Sequence, residues 1–404
     1  MKLFCIFAFK KLMYRRSEYV DLKIRIQEPR KFIQVLTGPR QIGKTTMVKD
    51  LIQELPFQVT YISADNTGGT DQLWLMQQWE RARMMMKPDQ ESLLIIDEIQ
   101  KIHNWSEQVK QLWDEDSMAG RPLKIILTGS ASLLLQQGLT ESLAGRFEVI
   151  KVGHWRFEEM EAAFGTTVEE YVWFGGYPGT ASLFNDEDRF REYVKNALIE
   201  STISRDILML SRVEKPALLK RLFELGSAYS SQILSFSKMV GQLQDAGNTT
   251  TLSHYLSLLD QAGMICGLEK IYTEPVRAKS SSPKIQVKNA AFISALSTER
   301  FEDVRINPEH WGRLIESAIG AHLIHYADKG HFQLLYWKER DYEVDFVLKR
   351  GSKIIGLEVK SGAAKRTSGM MAFKNKFKPD KVLLAGLSGI HWREFLRLDP
   401  TTFF

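Results

Sequence analysis

Gly38-Pro39-Arg40-Gln41-Ile42-Gly43-Lys44-Thr45-Thr46 decides the fold of this 404-residue chain. Its first eight residues follow the spacing G-x-x-x-x-G-K-S/T. An apolar run, Phe32-Ile33-Gln34-Val35-Leu36-Thr37, precedes it and reads as a buried strand. An amphipathic stretch from Lys44 to Leu55 follows and reads as a helix. A phosphate-cradling loop requires that context. Gly38 and Gly43 let the backbone curl past Pro39 so that the N–H groups of Arg40, Gln41 and Ile42 face phosphate oxygens. The helix adds its N-terminal partial positive charge. Lys44 reaches the β- and γ-phosphates, and the hydroxyl of Thr45, beside Thr46, ligates Mg²⁺. The ligand expected here is a purine nucleoside triphosphate with Mg²⁺, namely ATP. A turn that binds nothing would not need these flanks.

Outward from the loop, short apolar runs alternate with amphipathic stretches. Val59 to Ser63, Leu93 to Ile96 and Lys124 to Thr128 read as further strands. Asp71 to Met86 and Trp105 to Asp114 read as helices. This alternation predicts an α/β domain with a parallel sheet covered on both faces. Leu93-Leu94-Ile95-Ile96-Asp97-Glu98 is an apolar strand ending in two carboxylates. Asp97 is placed to hold Mg²⁺ through water, and Glu98 to orient or deprotonate the attacking water. Thr128 and Ser130, in Leu127-Thr128-Gly129-Ser130, are candidates to contact the γ-phosphate or the water; capping a loop is the alternative. Arg146 is either an arginine finger or half of a surface ion pair.

From about Thr167 to Gln261 the signals are mainly helical, broken at Phe174-Gly175-Gly176-Tyr177-Pro178-Gly179. Leu218 to Ser230, Phe236 to Leu243 and Thr250 to Ala262 read as helices, and Met264 to Tyr272 as a strand. That order outlines a winged helix whose third helix carries Thr250, Ser253, His254 and Ser257 on polar positions. Lys270, Arg277, Lys279, Lys284 and Lys288 follow. The third helix has no Arg or Lys of its own, so both DNA binding and protein docking stay open. Arg277 to Pro283 reads as a loop or linker, and Pro308 to Ala327 as a helix.

Near the C-terminus, Tyr342-Glu343-Val344-Asp345-Phe346-Val347-Leu348 and Ile354-Ile355-Gly356-Leu357-Glu358-Val359-Lys360 flank a turn at Arg350-Gly351. An even-numbered loop pairs Val344 with Leu357 and Phe346 with Ile355, placing apolar residues on one face. Glu343, Asp345, Glu358 and Lys360 then share the other. Asp345, Glu358 and Lys360 have the spacing of PD-(D/E)xK metal-dependent nucleases. On that reading Asp345 and Glu358 hold Mg²⁺, Lys360 positions water, and Glu316 supplies a further carboxylate. The plainer alternative is an amphipathic hairpin with one solvated face.

Composition narrows the rest. Hydrophobic content of 44% and charged content of 25% are those of a soluble globular protein of two or three domains. A net charge of +5 permits a nucleic-acid partner without requiring one. Cys5 and Cys266 lie far apart, which fits a reducing, cytoplasmic compartment. Met1 to Arg16 is apolar then basic and lacks a small-residue cleavage site, so a lightly packed N-terminus is expected rather than a signal peptide. No apolar run approaches the roughly 18 residues of a membrane span.

Taken together, the loop, Asp97-Glu98-Ile99-Gln100, Leu127-Thr128-Gly129-Ser130, Leu143-Ala144-Gly145-Arg146, Gly175-Gly176-Tyr177-Pro178, Tyr342-Glu343-Val344-Asp345-Phe346 and Glu358-Val359-Lys360 carry a resemblance. The chain resembles uncharacterised prokaryotic AAA+ ATPases whose C-terminal portion is a domain of unknown function with a restriction-endonuclease-like core. The resemblance implies an AAA+ domain over residues 1–165, a helical lid and winged-helix segment over 166–280, and a nuclease-like domain over 281–404. It also implies a homo-oligomer in which Arg146 acts on a neighbour's nucleotide, and it names no substrate. Three functions follow as expectations: an ATPase acting on DNA or a protein–DNA complex, an ATP-regulated nuclease, and a nucleotide-gated module that binds a protein. None places the chain in a membrane.

Overall fold

Strands β1 (Ile33–Thr37), β3 (Ser92–Asp97) and β4 (Leu123–Gly129) are buried from end to end, which is why they read as unbroken apolar runs. With β2 (Gln58–Ser63) and β5 (Phe147–Lys151) they form a parallel sheet in the order β2-β3-β4-β1-β5. A computed structural model describes residues 14–66, 72–88, 90–129, 142–208, 213–245, 247–273, 281–360 and 368–404. Both faces of the sheet are covered. Leu93 and Ile95 of β3 point into one cluster with Val48 and Leu51, while Leu94 and Ile96 join Leu75, Val109 and Leu112 in another. Full burial of one such side chain stabilises by roughly 1.5–3 kcal/mol. The helix after the glycine loop, Lys44–Ile52, stops short of Leu55, whereas the helix from Trp105 continues to Met118. Among the described residues, no helix is long and apolar enough to cross a membrane.

The N-terminus departs from expectation at Arg16. Its side chain is only 3% exposed, lies 3.1 Å from Glu159 and donates to the Gly153 carbonyl at 3.0 Å. Arg16 therefore locks the helix Ser17–Gln27 to the chain after β5 instead of fraying.

The middle of the chain is helical. The helix Val168–Phe174 starts at a reciprocal cap: Thr167 Oγ1 accepts from the Glu170 N–H at 3.2 Å, and Glu170 accepts from the Thr167 N–H at 2.7 Å. Glu187–Tyr193 runs on into two π-helical stretches, Val194–Glu200 and Thr202–Leu208. π-Turns are rare and mark functional sites often enough to matter below.

Beyond them a second sheet forms, with β6 (Gln232–Ile233), β7 (Ile265–Lys270), β8 (Lys284–Val287), β9 (Gln333–Glu339), β10 (Tyr342–Arg350), β11 (Lys353–Lys360) and β12 (Lys381–Gly386). Its order is β12-β11-β10-β9-β7-β8-β6. The helices Pro216–Ala228, Phe236–Gln242 and Thr249–Gln261 accompany β6, β7 and β8. β8 pairs antiparallel with both β6 and β7, and β7 pairs parallel with β9. The expected boundary between residues 280 and 281 thus separates two paired strands, β7 and β8.

Two expectations for the hairpin are also corrected. Arg350 pairs with Lys353 and Phe346 with Leu357, so the two-residue loop is Gly351-Ser352. Gly351 adopts φ +61°, as such tight turns demand. A bulge between Val344 and Val347 turns Val344 toward Trp337, Val347 and Phe373, away from Phe346 and Leu348. The helix Ser368–Phe377 covers that second face. A Cβ on Gly356 would come within 2.8 Å of the Phe373 ring. Both faces are therefore packed, and Asp345 and Glu358 lie inside rather than on a wet surface.

Candidate functional site

The site is built where β1, β3 and β4 end side by side. Gly38 has φ +153° and Gly43 φ +94°, and a Cβ on Gly38 would sit 1.9 Å from the Val152 carbonyl oxygen. Glycine is required there by space as well as by conformation. The helix Lys44–Ile52 points its N-terminus into the loop, where the first-turn N–H groups have no intrahelical partners. Lys44 Nζ donates to the carbonyls of Gly38 at 2.8 Å and Pro39 at 2.7 Å. Burial pulls the Lys44 ammonium down to about 8, with Glu98 opposing the shift.

Asp97 gathers three hydroxyls. Thr45 donates to it at 3.0 Å and Tyr61 at 2.7 Å, and Thr128 donates to its other oxygen. β4 lies between β1 and β3, which brings Thr128 to Asp97. Thr128 is 1% exposed and its hydroxyl is engaged there, so it braces Asp97 rather than reaching a γ-phosphate or water. Ser130 lies outside the described residues. Glu98 follows at φ +56°, an uncommon left-handed conformation for a non-glycine residue, and accepts from the Gln100 amide. Oxygen donors from Thr45 and Asp97, next to a phosphate loop, suit Mg²⁺ held jointly with a nucleotide's phosphates.

The four residues between the loop glycines each meet a different element. Pro39 packs on Gly263, ahead of β7, where an added Cβ would fall 2.5 Å from the proline ring. Arg40 makes a bidentate pair with Asp206, both bonds 2.5 Å. Gln41 accepts from the Tyr193 hydroxyl, and the Ile42 carbonyl accepts from Trp155 Nε1 at 2.9 Å. Thr46 is exposed.

Two cavities share Gly43 and Thr46 of the loop. One, of about 790 Å³, has Lys44, Thr45 and Glu98 on one wall and Pro178, Ser201 and Arg205 on the other. The other, of about 340 Å³, is lined by Tyr14, Trp155 and Phe164 and shares Gly43, Thr46 and Pro178 with the first. The glycines before Pro178 allow this wall to form. A Cβ on Gly175 would strike Asn289 at 1.9 Å, and one on Gly176 the Trp155 carbonyl oxygen at 2.0 Å. Sequence reasoning missed Arg205, Tyr14, Trp155 and Phe164. Only the Ser204-Arg205-Asp206 charge pair on an otherwise apolar stretch was there to signal the first.

In the C-terminal half, Lys284 of β8 is 0% exposed and central to the acidic residues. Its Nζ lies 2.7 Å from Glu316, 3.3 Å from the Asp345 carboxylate and 3.8 Å from Glu343. Burial pulls its pKa down, but Asp345 and Glu316 outweigh that and hold it raised. Burial and Asp345 push Glu316 up to about 7. Asp345 also accepts from the Val359 N–H at 2.8 Å. Glu358, its pKa raised by burial, meets Lys360 at 3.0 Å. Among the described residues no group of three or more His, Cys, Asp or Glu side chains is arranged to hold a metal ion. The metal set expected from Glu316, Asp345 and Glu358 does not fit. An ammonium group stands among these carboxylates, and Glu358 faces Lys360 instead.

A family described as an AAA domain matches residues 30–161. Those residues are an AAA domain. Residues 165–303 and 311–392 match two further families, each described as a domain of unknown function. An uncharacterized protein of Mycobacterium tuberculosis is 25% identical over 335 residues, covering 81% of this chain and 70% of its own length. One from Haemophilus influenzae is 22% identical over 398 residues, covering 93% of this chain and 94% of its own. The RuvB Holliday junction branch migration motor of Thermotoga maritima is 17% identical and covers 62% of this chain and 86% of its own. Its TM-score of 0.32 is too slight to bear on function.

Arg146 lies on the far rim of the AAA domain. Its carbonyl accepts from the Ile33 N–H at 2.8 Å, at the start of β1, while the glycine loop follows the end of that strand. The length of β1, roughly 15 Å, therefore separates Arg146 from its own loop. Its guanidinium forms a bidentate pair with Asp114 at 2.7 and 3.0 Å. That placement sets Arg146 apart from the nucleotide loop of its own chain.

On the helix Thr249–Gln261, Thr250, Ser253, His254 and Ser257 are all exposed and form a neutral stripe. The lysines expected beside it are largely unavailable. Lys284 is buried as described, and Lys288 is held by Asp260 at 2.7 Å and Asp328 at 2.8 Å. Lys270 remains half-exposed, and Arg277 and Lys279 lie outside the described residues.

Proposed function

We propose that this chain is a Mg²⁺-dependent ATPase that couples its nucleotide site to a winged-helix module docking on DNA or a protein–DNA complex. The observation carrying the reading is the Thr45–Asp97 hydrogen bond of 3.0 Å beside Glu98, at the mouth of a cavity large enough for a triphosphate. Thr45 and Asp97 would hold Mg²⁺, which when bound neutralises charge on the β- and γ-phosphates. Lys44 and the loop N–H groups bind those phosphates. Glu98 orients the attacking water and takes its proton. Arg205, from a helical lid, offsets charge that builds on the transferred phosphoryl group. The aromatic cavity of Tyr14, Trp155 and Phe164 supports a stacked purine base on the same ligand.

The order helix–strand–helix–helix–strand–strand, with β8 between β6 and β7, supports the winged-helix reading. In a homo-oligomer, Arg146 on the opposite rim would face a neighbour's nucleotide. The neutral stripe on Thr249–Gln261 and the burial of Lys284 and Lys288 favour a second reading, in which the module docks on a protein.

Hydrolysis by wild type, Lys44→Ala and Glu98→Gln, each with and without DNA, tests the proposal. Lys44→Ala should bind ATP weakly. Glu98→Gln should bind it normally and turn over at least about 100-fold more slowly. Equal hydrolysis by all three proteins would overturn the site. Turnover indifferent to every nucleic acid, together with co-purification of a stable protein, would move the conclusion to the second reading.

A further inference from the structure

The acidic cluster of the C-terminal half has the residue types of a divalent-cation site, yet its interior is occupied by the protein itself. Lys284 comes from β8, Glu316 from the helix Pro308–Asp328, and Glu343 and Asp345 from β10. Three separate elements therefore converge on one ammonium group. Its contacts to Glu316 at 2.7 Å, the Asp345 carboxylate at 3.3 Å and the Asp345 carbonyl at 3.2 Å use the directions of a three-donor ammonium. The Phe346 ring closes the site with its centroid 4.9 Å from Nζ.

We propose that Lys284 is a tethered cation standing where a divalent metal would bind, so that the cluster is a metal-free clasp joining β8 to the C-terminal domain and not a phosphodiester-cleaving centre. Three of the four carboxylate charges are offset without a metal. Lys284, Lys338 and Lys360 face Glu316, Glu343, Asp345 and Glu358, with Lys338 2.9 Å from Glu343 and Lys360 3.0 Å from Glu358. One excess carboxylate remains. A divalent ion beside Lys284 would add two positive charges to a site one charge short of balance, with the buried ammonium as its neighbour and little solvent to screen the repulsion. Glu358 Oε2 is buried without a hydrogen-bond partner. That oxygen and the Asp345 carboxylate are the ligands a metal would find if the ammonium were removed.

The placement also gives the clasp a purpose. β8 is the inner strand of the β6-β8-β7 unit, so Lys284 fixes the helix Thr249–Gln261 and its strands against the C-terminal domain. The same side chain that excludes a metal thus transmits position between the two modules. This inference is independent of the ATPase reading, because no residue of the P-loop takes part.

Mn²⁺ uptake by nucleotide-free protein, followed by the loss of the free-ion paramagnetic resonance signal, is the test. Wild type should take up no Mn²⁺ that Asp345→Asn abolishes. Lys284→Met should gain one site per chain, lost again in Lys284→Met/Asp345→Asn, and its Tm should rise on adding Mn²⁺ while that of wild type does not. Uptake by wild type that disappears in Asp345→Asn would overturn the proposal. A folded Lys284→Met that takes up nothing would overturn it too, because the ammonium would then not be standing in for a metal. Should Lys284→Met fail to fold, the comparison of wild type with Asp345→Asn decides alone: equal, negligible uptake supports the clasp, and a difference refutes it.

Discussion

Two arginines show why a residue's neighbours outweigh its motif. Arg146 sits in a stretch that resembles an arginine-finger segment, but Asp114 engages both sides of its guanidinium and raises its pKa. Arg205 belongs to no motif, yet it is exposed on the wall of the cavity that holds Lys44 and Glu98, and among the described residues it forms no ion pair. A cation left unpaired at the mouth of a phosphate cavity can respond to charge developing there. Arg205→Ala should therefore lower ATP turnover at least about 10-fold, a modest share of what transition-state arginines contribute. Arg146→Ala should leave ATP affinity within about twofold, since a strand length separates it from its own loop. Steady-state hydrolysis and fluorescent-nucleotide titration of the two variants distinguish these roles; a loss confined to Arg146→Ala would reverse them.

Among elements, the π-helical stretches are held to the P-loop by the Arg40–Asp206 pair. Their wider turn keeps Ala197, Ser201 and Arg205 along the cavity while Asp206, 3% exposed, reaches the loop. Removing Arg40 deprives a buried carboxylate of one of its partners, which costs about 2–3 kcal/mol, below the roughly 3–5 kcal/mol of fully buried pairs because Arg40 is 20% exposed. Arg40→Ala, Asp206→Ala and the double variant, unfolded in denaturant, should show coupling of at least about 1 kcal/mol. Additive losses would mean the pair does not hold these stretches to the loop. This element also marks the limit of what was legible. β1, β3 and β4 were readable because full burial writes itself as an apolar run, and the spacing of Gly38, Gly43 and Lys44 has little other use. Arg205 and Asp206 were not, because π-turns have no 3.6-residue signature. The hairpin's alternation was readable, but the bulge before Val347 and the covering helix Ser368–Phe377 depend on distant partners. Lys284 was visible only as one basic residue among several; its role exists only once Glu316 and Asp345 surround it.

Across the whole molecule, the P-loop, the β6-β8-β7 unit and the C-terminal domain meet around three histidines, of which His322 and His325 are buried. His154 bonds the Gly263 carbonyl at 2.8 Å and Asn289 at 3.1 Å, and His322 bonds the Leu398 carbonyl at 2.9 Å. Burial pushes His154 and His322 down to about 4 and His325 well below the ordinary range. Nearby cations reinforce the shift: Lys288 and Arg16 at His154, Arg156 at His322, and Lys329 at His325. The sign follows from which state binds more protons. Between the unfolded value of 6.5 and the folded value of about 4, the unfolded chain is the more protonated, so stability is complete above 6.5 and falls as pH drops toward 4. For His322, 2% exposed, the loss between pH 7.5 and pH 5 amounts to about 2 kcal/mol. Glu316 works in the opposite sense. Its raised pKa means that the folded state holds the extra proton, so its contribution declines as pH rises from 4.5 through about 7. Comparing wild type with His322→Gln cancels the Glu316 effect and isolates the histidine, since glutamine can still donate to the Leu398 carbonyl. Urea unfolding at the two pH values should show wild type losing about 2 kcal/mol more than His322→Gln on acidification. Parallel losses would show that His322 is protonated as readily folded as unfolded, and that the junction between the modules is wet.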